Sequence, residues 1–309
     1  MIKKITYIFF CCFLITVKMN AQTEPMYSQY MYNQLVINPA YAGNREVLTL
    51  NSYYRKQWMG IDGAPQTTSV SLDGRAIGNR FGFGVQLFDD HLGVEKATGV
   101  NTMLSTSVNL TEGGVLSGGL MIGMMNYRSD MTQVTNRFSA SDPVFSNNFS
   151  KWLPVLGMGL FYNTNKFYTG ISIPNLLHSR ATSLEVIKSG FQKINDIHVF
   201  ATAGYVLDLN DDIKLKPSMM MKFVSGAPMA LDLNTNILLK EYLGVGVSYR
   251  IGDAVVGMLE CQLTPSIKLG YAYDQTISSI SAFKPKSHEI MLRFDFGNGG
   301  DGFKLNRFF

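Results

Sequence analysis

MALDLNTNI, residues 229–237, sorts its side chains by parity: Met229, Leu231, Leu233, Thr235 and Ile237 at odd positions, Ala230, Asp232, Asn234 and Asn236 between them. A period of two places the sets on opposite faces of a β-strand, one apolar and one polar. LGVGVSYR at 243–250 repeats the pattern, with Leu243, Val245, Val247 and Tyr249 against Gly244, Gly246, Ser248 and Arg250. So do IKLGYAYD at 267–274 and IMLRFDF at 290–296.

Extending the pattern outward predicts strands near 46–54, 66–74, 80–90, 96–109, 114–127, 152–163 and 166–174. Seven more fall near 195–207, 212–225, 228–239, 242–251, 253–263, 265–275 and 287–296. The total is fourteen, an even number. A strand of roughly ten residues, rising about 3.3 Å per residue and tilted near 45°, covers about 23 Å, close to the apolar band of a transmembrane barrel.

The connections give an independent test, because outer-membrane barrels alternate short periplasmic turns with longer extracellular loops. The four longest connections, near 55–65, 128–151, 175–194 and 276–286, follow the first, fifth, seventh and thirteenth strands. All four are odd. Connections after even strands are tight and rich in turn residues, as at Gly78-Asn79, Glu112-Gly113 and Asn210-Asp211. The expected fold is therefore all-β: a transmembrane, antiparallel, up-and-down β-barrel of about fourteen strands.

Composition agrees. Among 309 residues only 16% are charged and 46% are apolar, against about 25% charged in ordinary soluble domains. Residues 1–21 read as a secretory signal peptide: Lys3 and Lys4, an apolar run from Ile5 to Val17, and Ala21 before Gln22 at the cut. That run is too short for a spanning helix, which needs about 20 residues. Removing it takes Lys3, Lys4 and Lys18, so the formal charge falls from +4 to 24 − 23 = +1, and the basic pI implies no nucleic-acid partner. Cys11 and Cys12 lie in the signal, which leaves Cys261 alone and no intrachain disulfide. The expected domains are 1–21 signal, 22–45 a periplasmic N-terminal segment, 46–296 the barrel and 297–309 a tail. Either flanking segment is placed to plug or gate the barrel from the periplasmic side.

No motif points to catalysis, a cofactor or a metal. His91, His178, His198 and His288 are widely separated and lack metal-ligand spacing. His178-Ser179 has no acid partner placed by the sequence. Gly82-Phe83-Gly84 and Gly244-Val245-Gly246 lie within strands and precede no helix, so they fail as phosphate loops. Lys214, Lys216, Lys222, Asp232, Arg250, Glu260, Lys268, Asp274, Arg293 and Asp295 alternate with outward apolar residues; pairing across the interior is favoured over setting ion selectivity. Tyr27, Tyr30, Tyr32 and Tyr41 read as an interface belt or an interaction patch.

Four ordered stretches carry a resemblance: QYMYNQLVINPAYAG at 29–43, RKQWMGIDGAPQT at 55–67, GYAYDQTIS at 270–278 and SHEIMLRF at 287–294. Together they resemble the PorP/SprF family of outer-membrane proteins of the type IX secretion system in Bacteroidetes. The positions concerned are Asn38, Pro39, Ala40, Tyr41, Gly43, Arg55, Trp58, Gly60, Gly63, Ala64, Pro65, Tyr271, Tyr273, Asp274, His288 and Glu289. The resemblance implies a non-enzymatic, cofactor-free role in secretion or surface display. It also implies partners: outer-membrane lipid, the type IX translocon, periplasmic ring or motor components, and a secreted surface protein such as a gliding-type adhesin. On the strand assignment, Arg55 to Pro65 fall in the first extracellular loop, where partner contact is expected, and Asn38 to Tyr41 form a lead-in to the first strand. A porin-like or hydrophobic-compound channel is the alternative that fourteen strands and a polar lumen allow.

Overall fold

The computed structural model describes residues 27–45, 47–76, 80–111, 113–133, 148–176, 197–224, 227–278, 281 and 285–296. The signal with Ala21 and Gln22, His178-Ser179 and the tail 297–309 lie outside these residues. Fifteen strand segments form one sheet: β1 (Leu48–Met59), β2 (Gln66–Arg75), β3 (Phe81–Leu92), β4 (Glu95–Thr111), β5 (Gly114–Ser129), β6 (Phe149–Asn163), β7 (Phe167–Ile173), β8 (His198–Tyr205), β9 (Leu207–Asp208), β10 (Ile213–Val224), β11 (Ala230–Leu239), β12 (Leu243–Arg250), β13 (Ala254–Thr264), β14 (Ile267–Thr276) and β15 (Lys286–Phe296). β8 and β9 are one stave interrupted at the buried Val206, since both pair with β10. The wall therefore has fourteen staves.

Neighbouring staves pair antiparallel in chain order, and the ring closes where β1 pairs with β15, from Leu48 opposite Phe296 to Met59 opposite Lys286. Closure removes the open edges that a sheet cannot expose to lipid. The connections after β2, β4, β6, β9, β11 and β13 run to five residues at most, while the long ones, after β5, β7 and β14, all lie at the other end, which assigns the short-turn end to the periplasm. Leu104, Leu120, Ile122 and Leu87 are 64%, 60%, 63% and 56% exposed, because they face lipid. Their strand neighbours Met103, Met121 and Gln86 turn inward and are buried. No helix among the described residues is long and apolar enough to cross a membrane.

Two expectations change. β1 runs to Met59, five residues beyond its expected end, so Arg55 is a wall residue and not part of the first extracellular loop. The polar run Arg55-Lys56-Gln57 hid the strand; its pairing continues through a register shift between Lys56 and Met59, where Trp58 takes φ 44°. Residues 27–45 are not a periplasmic segment beneath the barrel but stand inside it, in the plugging position that is the other expectation for this segment. Every one of them except Val36 is buried.

Candidate functional site: the occupied lumen

The segment Tyr27–Arg45 crosses the lumen as three single 3-10 turns, η1 (Tyr30–Tyr32), η2 (Gln34–Val36) and η3 (Pro39–Tyr41), before entering β1. The sequence dictates this punctuated path. Asn33 and Asn38 are extended, and their side chains accept from the backbone N–H of Leu35 and Ala40, capping η2 and η3. Pro39 opens η3, where its missing N–H leaves no donor unsatisfied. So irregular a backbone, buried, needs hydrogen-bond partners, and the wall supplies them. Ser172 Oγ donates to the Ile37 carbonyl at 2.6 Å, Ser105 Oγ to that of Ala42 at 2.7 Å, and Arg75 Nε to that of Gly43 at 2.9 Å. Asn38 Nδ2 donates to the Leu160 carbonyl at 3.0 Å, and Gly43 N–H donates to Asp73 Oδ2 at 3.1 Å.

Small wall residues make the room. A Cβ on Gly119 would sit 2.5 Å from Ala40 Cα. Gly43 itself takes φ 70° and lies so close to β2 that a Cβ there would meet the Gly74 carbonyl at 2.7 Å. Tyrosines fill the rest: Tyr41 packs edge-on against Phe161 with centroids 5.4 Å apart, and Tyr27 packs against Tyr53 at 5.3 Å. Tyr32 OH donates to Asn236 Oδ1 at 2.9 Å, and Asn234 Nδ2 donates to Tyr30 OH at 2.5 Å.

A charged cluster holds the upper end of the segment. Arg55 Nη2 donates to Asp274 Oδ2 at 2.7 Å and Nη1 to Glu289 Oε2 at 3.1 Å. Glu289 in turn accepts from the backbone N–H of Ser28 at 2.7 Å and of Gln29 at 2.9 Å. Ser28 Oγ donates to Asp274 Oδ2 at 2.8 Å and accepts from Arg55 Nη1 at 2.7 Å. Arg250 with Asp232, Lys268 with Glu260 and Arg293 with Asp295 make further lumen ion pairs. The space left inside includes a cavity of about 70 Å³ edged by Tyr27, Ile37, Phe88, Met121, Met125 and Phe200, room for a few waters.

Of the positions singled out in the sequence, Asn38, Pro39, Ala40, Tyr41, Gly43, Arg55, Asp274 and Glu289 converge on this interior. Tyr271, Tyr273 and His288 point outward instead, with Tyr271 OH 2.7 Å from His288 Nδ1. Gly60, Gly63, Ala64 and Pro65 lie in the turn between β1 and β2, and Trp58 donates its backbone N–H to Ser287 Oγ at 3.1 Å. Tyr27, Tyr30, Tyr32 and Tyr41 form neither a belt nor a surface patch but part of the lumen packing. Sequence reading missed Ser28, Gln29 and the wall residues Gly119, Ser105 and Ser172. Their signal was the recurrence of small residues at inward positions.

The decisive comparison is with families: the pattern of the type IX secretion system membrane protein PorP/SprF matches residues 19–294. The chain belongs to that family. This PorP/SprF protein matches no curated protein. Its fold is similar to outer-membrane barrels of known structure. The Ralstonia pickettii toluene transporter TbuX aligns with TM-score 0.50 at 8% identity over 90% of this chain and 96% of its own. CymD, a monoaromatic hydrocarbon channel, aligns with TM-score 0.48 at 12% identity over 91% and 96%. Omp33 of Acinetobacter baumannii aligns with TM-score 0.45 at 11% identity over 81% and 99%. At such identities the likeness concerns fold alone. Fold and family together place this PorP/SprF chain in the outer membrane, associated with the type IX secretion system.

Proposed function

We propose that the protein is a sealed, non-enzymatic barrel that assists the export or cell-surface anchoring of secreted proteins, such as large gliding-type adhesins, without passing them through its own lumen. The observation that carries this reading is the self-filled interior. A translocated polypeptide needs a continuous aqueous path, and Tyr27–Arg45 occupies that space with hydrogen bonds to the wall on several staves. Family membership supplies the secretion context. The work then falls to the outer surfaces, through contacts with the translocon, the periplasmic ring or motor components and the secreted protein. The same filling weighs against a porin-like or hydrophobic-compound channel.

Deletion of the gene tests the proposal. The expected result is that particular surface proteins are shed into the medium or retained in the periplasm, with uptake of small solutes unchanged. Unaltered surface proteins with impaired solute uptake would reverse the assignment in favour of a channel.

A further inference from the structure

The strand register aligns cations on the outside of one side of the barrel. Lys56 on β1 lies opposite His288 on β15 and opposite Gln66 on β2. Gln66 lies opposite His91 on β3, His91 opposite Lys96 on β4, and Lys96 opposite Arg128 on β5. Directly paired residues stand about 5 Å apart, so five basic side chains form a nearly continuous row around the extracellular third of staves β15 to β5.

The height of the row is set by what lies beneath it. Four residues down the same strands, Val70, Leu87, Val100 and Met124 form an exposed apolar row in mutual register. Four residues at about 3.3 Å each, tilted near 40°, put the cations about 10 Å above that apolar row. That is the level of lipid headgroups. Carboxylates neutralise only part of the row: Asp89 contacts His91, and Asp130 Oδ1 accepts from Arg128 Nε at 2.6 Å. Among the described residues, Lys56 and Lys96 enter no ion pair. On the opposite side the extracellular ends of β10, β11, β12 and β13 present Phe223, Leu231, Tyr249 and Val255 outward. A girdle that merely positions the barrel in the bilayer has no reason to confine its charge to one side.

We propose that this one-sided row is a binding site for the phosphate of a glycolipid headgroup in the outer leaflet, with the acyl chains lying on the apolar row below. Charge supplies the complementarity: unpaired ammonium groups beside a guanidinium take a phosphate, and the apolar row fixes the lipid's depth.

The test uses the full chain in nanodiscs containing lipid A, either bisphosphorylated or dephosphorylated, with retained lipid read by native mass spectrometry. The wild type is expected to retain the phosphorylated form over the other by at least about tenfold. The triple variant K56Q/K96Q/R128Q should lose that preference, whereas the charge-preserving K56R/K96R/R128K and the periplasmic-turn variant K240Q should keep it. Unchanged gel mobility before and after boiling, relative to wild type, shows that each variant has folded. Equal retention of the two lipids by the wild type, or a triple variant that discriminates as the wild type does, overturns the proposal. So does recovery from native membranes of an acidic protein on this face with no phosphorylated lipid.

Discussion

Arg55 on β1 and Asp274 on β14 are joined by a 2.7 Å ion pair inside the barrel, although β15 runs between their strands. The side chain of Arg55 spans that stave and also takes Glu289 from it, at 3.1 Å. All three groups are at most 2% exposed. Arg55→Ala leaves buried Glu289 without its cation and Asp274 with only Arg250, 3.8 Å away, and breaking such a pair costs about 3–5 kcal/mol. We expect a lower urea midpoint for unfolding from lipid vesicles, with Arg55→Lys intermediate because one ammonium cannot serve both carboxylates with a planar fork. An R55A protein as stable as wild type would show that the cluster holds nothing.

The same cluster grips Ser28 and Gln29, so its integrity and the seating of the lumen segment are coupled. In planar bilayers the wild-type protein is expected to give no steady conductance, and deletion of residues 27–44 to give one of porin-like size. Preserved heat-modifiable mobility of the deletion protein keeps this readable. A conducting wild type contradicts the filled lumen.

The wall was legible in the sequence because lipid outside and polar contacts inside impose a period of two on every stave. Leu231, Leu233 and Ile237 point out while Asp232, Asn234 and Asn236 point in, as their alternation indicates. The lumen segment was not legible in this way. Tyr27 to Arg45 has no periodicity of its own, since it is buried against inward faces contributed by strands from β1 to β15. Arg55 was hidden by the early end assigned to the first strand. Continuing the parity of Tyr53 by two residues puts Arg55 inward and Lys56 outward. The cation row needed register, which alternation within a single strand cannot supply.

Close approach between wall and segment yields a prediction that separates the two. Gly119→Leu puts a side chain where Ala40 and Pro39 sit, and Gly82→Val does the same at Ala42, whose carbonyl carbon would lie 2.7 Å from the new Cβ. Neither substitution touches a pairing hydrogen bond of the staves. We expect folded barrels whose lumen segment becomes open to proteolysis, with fragments beginning beyond residue 45. Protection equal to wild type would mean that the segment can shift without leaving.

Asn38 separates local from tertiary control of the lumen segment. Its Oδ1 accepts from Ala40 N–H at 3.0 Å, fixing η3, while its Nδ2 donates to the Leu160 carbonyl on β6 at 3.0 Å, fixing η3 to the wall. Asn38→Ala removes both, at about 1 kcal/mol for the cap and a similar amount for the wall bond. Asn38→Asp retains the cap acceptor but has no donor for Leu160 and places a carboxylate beside a carbonyl oxygen. At neutral pH the Asp variant should therefore be no more stable than Ala. Acidification should restore it selectively, because the protonated carboxyl can again donate. The check is the urea midpoint of both variants at neutral and acid pH, each referred to wild type. Parallel pH responses of Ala and Asp would mean that the wall bond contributes nothing and that the cap alone orders the turn.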